Sequence, residues 1–252
     1  MDAGAARRIA RLSLDDAPEH ARVIEIGAGT GQLTLALLQE HADVTAIEID
    51  PQLVEILRNR RELADAHVVQ VDALEFDFDE YATHGEWRAA GNLPYNVATP
   101  LIVQLVEMQN GPQTIVAMIQ KDVADRLAAK PGTPAYGSLS IAVQFAMHVE
   151  RAFTLGPRSF YPPPKVDSTV VRLVRREILA AQPRDLGLFR KVVRAAFAYR
   201  RKTLANSLAL ALSLERARIA EALATSGLAP ETRGEQLDID AFSRLADALA
   251  EE

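Results

Sequence analysis

The chain has 252 residues, with 28 Lys+Arg, 34 Asp+Glu, 5 His and no Cys. At 48% apolar and 25% charged residues it has the composition of a globular protein, and its length suits one large or two modest domains with a real core. The absence of Cys excludes a disulfide framework, a thiol nucleophile and a zinc–cysteine site, and no apolar run approaches the ~18 residues of a membrane span. The amphipathic start MDAGAARRIARLSL has no secretory core, so a cytoplasmic protein is expected rather than a secreted or integral membrane one.

The net charge of −6 is unevenly spread. Arg151–Lys202 holds 13 basic and 3 acidic residues, a net of +10, and the remainder holds 15 basic and 31 acidic, a net of −16. A basic block on an acidic body is the footprint of a polyanion-binding face, although a solvated face with surplus arginines has the same count.

In chain order, Arg22–Ile26 is a short apolar strand that runs into a glycine-rich turn, and Gln32–Gln39 follows as a helix. Val44–Glu48 is a second strand, with Pro51 suited to the first turn of the next helix. His67–Val71 is a third strand and Trp87–Gly91 a weaker fourth, ending at Asn92. Thr99–Met108 reads as a helix, Thr114–Ile119 as a fifth strand and Lys121–Ala129 as a helix. Two further strands, Ala146–Leu155 and Ser168–Val174, flank a loop holding Pro157, Pro162, Pro163 and Pro164. Such alternation predicts a doubly wound, mostly parallel α/β sheet of seven strands. Beyond Asp185 the pattern is wholly helical: Leu186–Tyr199, Lys202–Leu212, Leu214–Ser226 and Ile239–Leu249. The expected organisation is therefore a sheet domain over residues 1–180 and a small all-helical domain over 185–252.

Three features fall at the carboxyl ends of successive strands, where open α/β sheets bind ligands. Gly27, Gly29 and Gly31 form a G-x-G-x-G turn that lets a ligand approach the main chain. Glu48 can accept hydrogen bonds from both hydroxyls of a ribose, and Asp72 is placed to meet an adenine. These residues point to an adenosine cofactor, and on them alone a nicotinamide dinucleotide and S-adenosylmethionine both remain open.

Asn92-Leu93-Pro94-Tyr95 follows the fourth strand. It resembles the N/D-P/L-P-Y/F signature of methyltransferases that act on exocyclic amines of nucleobases. The N6 amine of adenine is a poor nucleophile because its lone pair is conjugated into the ring. An Asn92 amide oxygen and a backbone carbonyl, expected to be that of Leu93, can accept its two N–H bonds and favour a more tetrahedral nitrogen. Pro94 stiffens the turn and Tyr95 offers an aromatic wall. The bland alternative is an ordinary turn with a core tyrosine.

EIGAGTG, EID at Glu48–Asp50, VDAL at Val71–Leu74, GNLPYNVATPL, QKDVADRL, KPGTPAYGSLS, FYPPPKVDSTVVRL and FAYRRKTLANSL occur in this order. Together they resemble the KsgA family of small-subunit ribosomal RNA adenine dimethyltransferases, over nearly the whole chain. The resemblance implies a class I methyltransferase sheet, S-adenosylmethionine as cofactor, and dimethylation of two adjacent adenosines near the 3′ end of small-subunit RNA. It further implies that Gly27, Gly29, Gly31, Glu48, Asp72, Ala73 and Asn92 line the cofactor site. Asn92, Leu93, Pro94 and Tyr95 would handle the target amine, with Phe160 stacked on the base opposite Tyr95. Lys165, Arg200, Arg201 and Lys202 would meet RNA phosphates. No metal and no membrane are implied, and a monomer is expected. The family begins with a basic G-Q-N/H-F-L segment, and here Met1 stands where that motif ends and Asp2 where the following helix starts. The expectation is a truncated chain lacking part of the methionine-side wall. Three alternatives stand beside the enzyme: a binding-only assembly or transcription factor on this fold, a 23S ribosomal RNA methyltransferase of the erythromycin-resistance type, and a nicotinamide oxidoreductase. The last is disfavoured by G-x-G-x-G, NLPY and the lack of a hydride-transfer acid pair.

Overall fold

Parallel strands covered on both faces are buried almost throughout, and four strands here are. In the computed structural model, which describes residues 2–157, 165–199 and 201–250, β1 (Arg22–Ile26), β2 (Asp43–Glu48), β4 (Trp87–Asn92) and β5 (Thr114–Gln120) each bury all but one residue. β3 (His67–Gln70) sits at the sheet edge and is only half-buried. With β6 (Met147–Leu155) and β7 (Ser168–Arg175), the described residues form a seven-stranded sheet in the order β3-β2-β1-β4-β5-β7-β6. β1 to β5 pair in parallel and β7 runs antiparallel to β5. The strand order reverses between β1 and β4, and Ile26 pairs with Gly91 there. That crevice is the topological switch point of an open sheet, the usual ligand position.

Helices α1 (Ala3–Leu14) and α2 (Gln32–Gln39) cover one face. Ala6, Ile9 and Ala10 of α1 share a core with Leu33, Ala36 and Leu37 of α2 and with Val23, Val44, Ala90, Val116 and Met118 of the sheet. Asp2 caps α1 by accepting from Ala5 N at 3.1 Å. α3 (Pro51–Asn59) follows β2 with Pro51 in its first turn and the Asp50 side chain accepting from Gln52 N at 2.8 Å. α4 (Phe78–Ala82) is one short turn that the sequence patterning did not predict. It exists because Phe78 stacks on Trp87 at 5.8 Å between ring centres, while Tyr81 meets Trp87 edge-on at 5.5 Å. α5 (Ala98–Glu107) and α6 (Lys121–Leu127) complete the alternation.

The chain divides into two compact units, one of residues 1–124 and 148–175, the other of 125–147 and 176–252. Sequence patterning assigned residues 1–180 to the sheet, whereas contacts group Asp125–Met147 with the C-terminal helices. Within that second unit, α7 (Ser138–Ala146) buries six of its residues. Its Phe145 lies 4.8 Å from Phe189 of α8 (Leu186–Ala198) between ring centres. The Tyr136 hydroxyl donates to Leu237 O at 2.9 Å, and Gly132 N donates to Glu235 O at 2.7 Å. α7 went unpredicted because SLSIAVQFA is apolar nearly all round and shows no 3.6-residue period. α9 (Leu204–Leu212), α10 (Arg216–Thr225) and α11 (Ile239–Leu249) follow the predicted helices to within two residues.

Candidate functional site

The glycine turn after β1 adopts a conformation that side chains resist. Gly27, Gly29 and Gly31 have φ of 73°, 58° and 81°. At Gly31 a Cβ would also meet Leu63 Cδ1 at 2.5 Å and Leu57 Cδ2 at 2.8 Å. The turn is bound to β2 from its start, because Gly27 N and Ala28 N both donate to Ile47 O, at 2.9 and 3.1 Å. At Gly29 the position of a Cβ is open.

Glu48, buried at the end of β2, is held by three backbone donors. Gly29 N reaches its Oε2 at 2.8 Å, and Ile49 N and Asp50 N reach its Oε1 at 2.9 and 3.1 Å. A carboxylate offers about four acceptor sites, so one on Oε2 remains for an incoming hydroxyl. The sequence expectation of two ribose hydroxyls on Glu48 therefore requires the Gly29 contact to yield. Asp72 lies just beyond β3, where Val71 N still donates to Glu48 O at 3.1 Å. Its Oδ1 accepts from Leu74 N at 2.9 Å, which folds VDAL, with a half-buried Ala73, into a tight turn. Ile49 is 60% exposed and Leu74 40% exposed, each beside one of these carboxylates. Neither residue stands out in the sequence as a ligand contact. The available signal was an apolar residue next to an acid at a strand's carboxyl end.

Behind the turn, Glu25 is buried within β1 and accepts from the Thr34 hydroxyl of α2 at 2.5 Å. Burial pushes its carboxyl up to about 8, with Thr34 opposing and the nearby Glu48 charge adding a smaller push. Glu25 is therefore mostly protonated at pH 7 and ties β1 to α2 through Thr34 rather than adding a second charge beside Glu48.

Asn92 ends β4 one residue beyond the Gly91–Ile26 pair, so the Asn-Leu-Pro-Tyr turn stands beside the glycine turn. Gly91 is required there, since a Cβ would collide with the Ile26 carbonyl oxygen. A Cβ on Gly27 would lie 3.6 Å from Asn92 O and 3.8 Å from Pro94 Cδ. Leu93 is buried and its N–H donates to Met118 O at 3.1 Å. Pro94 O accepts from Val97 N and Ala98 N at 3.1 and 3.0 Å, which engages that carbonyl in starting α5. Asn92 is exposed, and Tyr95 is 40% exposed with its hydroxyl 3.2 Å from Ser168 Oγ.

The structure thus brings Gly27, Gly29, Glu48, Asn92 and Pro94 to one sheet edge. Lys165 is exposed in the first unit, and Arg201 and Lys202 are exposed in the second. Phe160 and Arg200 lie outside the described residues. Among the described residues there is no group of three or more His, Cys, Asp or Glu that could hold a metal, and no helix long and apolar enough to cross a membrane.

The donor set suits an adenosine-bearing cofactor: a carboxylate with an acceptor site to spare, an open glycine main chain, and exposed apolar side chains at Ile49 and Leu74. Comparisons with known proteins agree. The model of the family described as ribosomal RNA adenine dimethylase matches residues 6–251. A ribosomal RNA small subunit methyltransferase A from Pseudomonas fluorescens is 43% identical over 253 residues, spanning 100% of this chain and 91% of that protein. One of the same name from Pseudomonas aeruginosa is 45% identical, spanning 99% and 91%. Among solved structures, a dimethyladenosine transferase from Plasmodium falciparum superposes with a TM-score of 0.77 at 25% identity, over 97% of this chain and 94% of that one. The 23S rRNA methyltransferase ErmE superposes with a TM-score of 0.74 at 25% identity, over 99% and 98%. A seven-stranded sheet with this switch-point site, matched over nearly its full length, places the chain in the ribosomal RNA adenine dimethylase family.

Proposed function

We propose that the Asn92–Tyr95 turn dimethylates the N6 amines of two adjacent adenosines near the 3′ end of small-subunit ribosomal RNA. The chain is an S-adenosylmethionine-dependent ribosomal RNA adenine dimethyltransferase. The observation that carries the residue assignment is the juxtaposition of Asn92 and Pro94 with Gly27 at the switch point. S-adenosylmethionine, when bound, supplies an electrophilic methyl group. Glu48 and Asp72 would hold its ribose and adenine side, with Gly27, Gly29, Gly31 and Ala73 forming the floor and Ile49 and Leu74 the apolar walls. The Asn92 amide oxygen accepts one N–H of the target amine, and a backbone carbonyl of the turn accepts the other. Holding both N–H bonds draws the nitrogen lone pair out of ring conjugation, and a preorganised acceptor does so without reorganising during reaction. Tyr95 and Phe160 would wall the base. No side-chain base is needed, because the proton leaves after the nitrogen has become cationic.

Lys165, Arg200, Arg201 and Lys202 are assigned to RNA phosphates, the protein acting as a cytoplasmic monomer. Support comes from the +10 net charge of Arg151–Lys202 and the exposure of Lys165, Arg201 and Lys202. The test is incubation with labelled S-adenosylmethionine and small subunits lacking the modification, followed by mass mapping of the RNA. The expected product is two adjacent dimethyladenosines near the 3′ end. Label on large-subunit RNA instead would favour the erythromycin-resistance reading, and RNA binding without label the binding-only one. Replacing Arg201 and Lys202 with Ala should weaken subunit binding and flatten its salt dependence, since each lost phosphate contact removes about one counterion from the slope. An unchanged slope would remove these residues from the RNA face.

A further inference from the structure

We propose that Ser168 is a positioning residue for methyl transfer, acting through the phenol of Tyr95. This rests on the reading that Tyr95 walls the target base. Tyr95 protrudes from a turn, and a ring 40% exposed is not immobilised by packing alone. Its hydroxyl lies 3.2 Å from Ser168 Oγ, a long hydrogen bond of the kind that tightens when a site fills.

Ser168 stands on a rigid platform. It is buried at the first position of β7 and pairs with Gln120 of β5 in the antiparallel register. Just before it, Asp167 O accepts from Lys121 N at 3.0 Å, and just after it the Thr169 hydroxyl meets that of Thr154 on β6 at 3.0 Å. The strand start is therefore pinned on both sides, and Ser168 Oγ can serve as a fixed point for a side chain that has none of its own. Amine methylation depends on the direction of one nitrogen lone pair, so a wall that swings costs rate even when the base still binds. Ser168 touches neither base nor cofactor in this reading, and its effect should fall on kcat rather than on cofactor affinity.

The experiment measures kcat and KM on unmodified small subunits, together with S-adenosylmethionine affinity by calorimetry, for Ser168→Ala, Ser168→Thr, Tyr95→Phe, Tyr95→Ala and the Ser168→Ala/Tyr95→Phe double variant. Loss of one hydrogen bond should lower kcat about 3–10-fold in Ser168→Ala and by a similar factor in Tyr95→Phe, with cofactor affinity unchanged. Because both variants break the same contact, the double variant should be no slower than either single one. Ser168→Thr keeps the hydroxyl and should restore most of the rate. The proposal is overturned if the losses multiply in the double variant, if Thr does no better than Ala, or if Ser168→Ala turns over normally while Tyr95→Ala does not. Should Ser168→Ala fail to fold, normal turnover by Tyr95→Phe overturns it equally. Normal turnover by Tyr95→Ala would instead refute the assignment of Tyr95 to the base pocket.

Discussion

Glu48 serves the glycine turn before it serves any ligand. Its three backbone donors tie the end of β2 to Gly29 and to the start of α3. Glu48→Ala should therefore weaken S-adenosylmethionine binding by about 1–3 kcal/mol through the lost charged acceptor, and also loosen the turn. Glu48→Gln, which can keep one oxygen acceptor, should fall between wild type and Ala in calorimetry. Equal affinity of all three would show that the ribose is held elsewhere. Asn92 is exposed and caps no element, so its removal leaves the core untouched. Asn92→Ala should lower kcat by roughly 10²–10³, the usual loss for one preorganised hydrogen-bonding group, while the melting temperature changes little. Near-normal turnover by the folded variant would withdraw Asn92 from the chemistry.

At the scale of elements, α1 is held by two arginines from the sheet. The buried Arg88 of β4 donates through Nη1 to Ser13 O and Asp15 O, each at 3.2 Å, and to Thr114 Oγ1 at 3.3 Å. Its Nη2 reaches Asp16 O at 3.3 Å. Arg172 of β7 donates to Leu12 O at 3.3 Å and pairs with Asp15 Oδ2 at 3.0 Å. Both cations sit at the negative end of the helix dipole and satisfy carbonyls that the last turn and the left-handed Asp16 leave without helical partners. Arg88→Met keeps much of the volume but strands several carbonyls. It should cost about 2–4 kcal/mol in urea unfolding and reduce hydrogen-exchange protection of α1 more than that of β5. A midpoint and exchange pattern like wild type would mean that apolar packing alone anchors α1.

For the molecule as a whole, Glu25 makes stability depend on pH. Burial raises its folded-state pKa from 4.5 to about 8. Below pH 4.5 the carboxyl is protonated in both folded and unfolded chains. Between 4.5 and about 8 the unfolded chain releases the proton and the folded chain keeps it, so this group makes stability fall as pH rises. Glu25→Gln has no such titration. The difference in unfolding free energy between Glu25→Gln and wild type should shift in favour of the variant from pH 5 to pH 8, by up to about 4 kcal/mol. A constant difference across that range would show that Glu25 ionises normally in the fold.

Local structure was legible because it is written in adjacent residues. Sequence patterning named all seven strands, helical periodicity named α8 to α11, and strand ends located Gly27, Glu48 and Asn92, since a strand's direction and length determine which residue emerges at its edge. What depends on partners far along the chain was not. Residues 125–147 joined the helical unit because Phe145 and Tyr136 found Phe189 and Leu237, positions that no local pattern links to them. Arg88 reads in sequence as one more strand residue, yet it collects carbonyls more than 70 positions away. Ile49, Leu74, Ser168 and the neutral Glu25 acquired their places in the same way. Burial, a raised pKa and a shared hydroxyl contact are properties of assembled surroundings, and only the tertiary structure supplies the other half of each interaction.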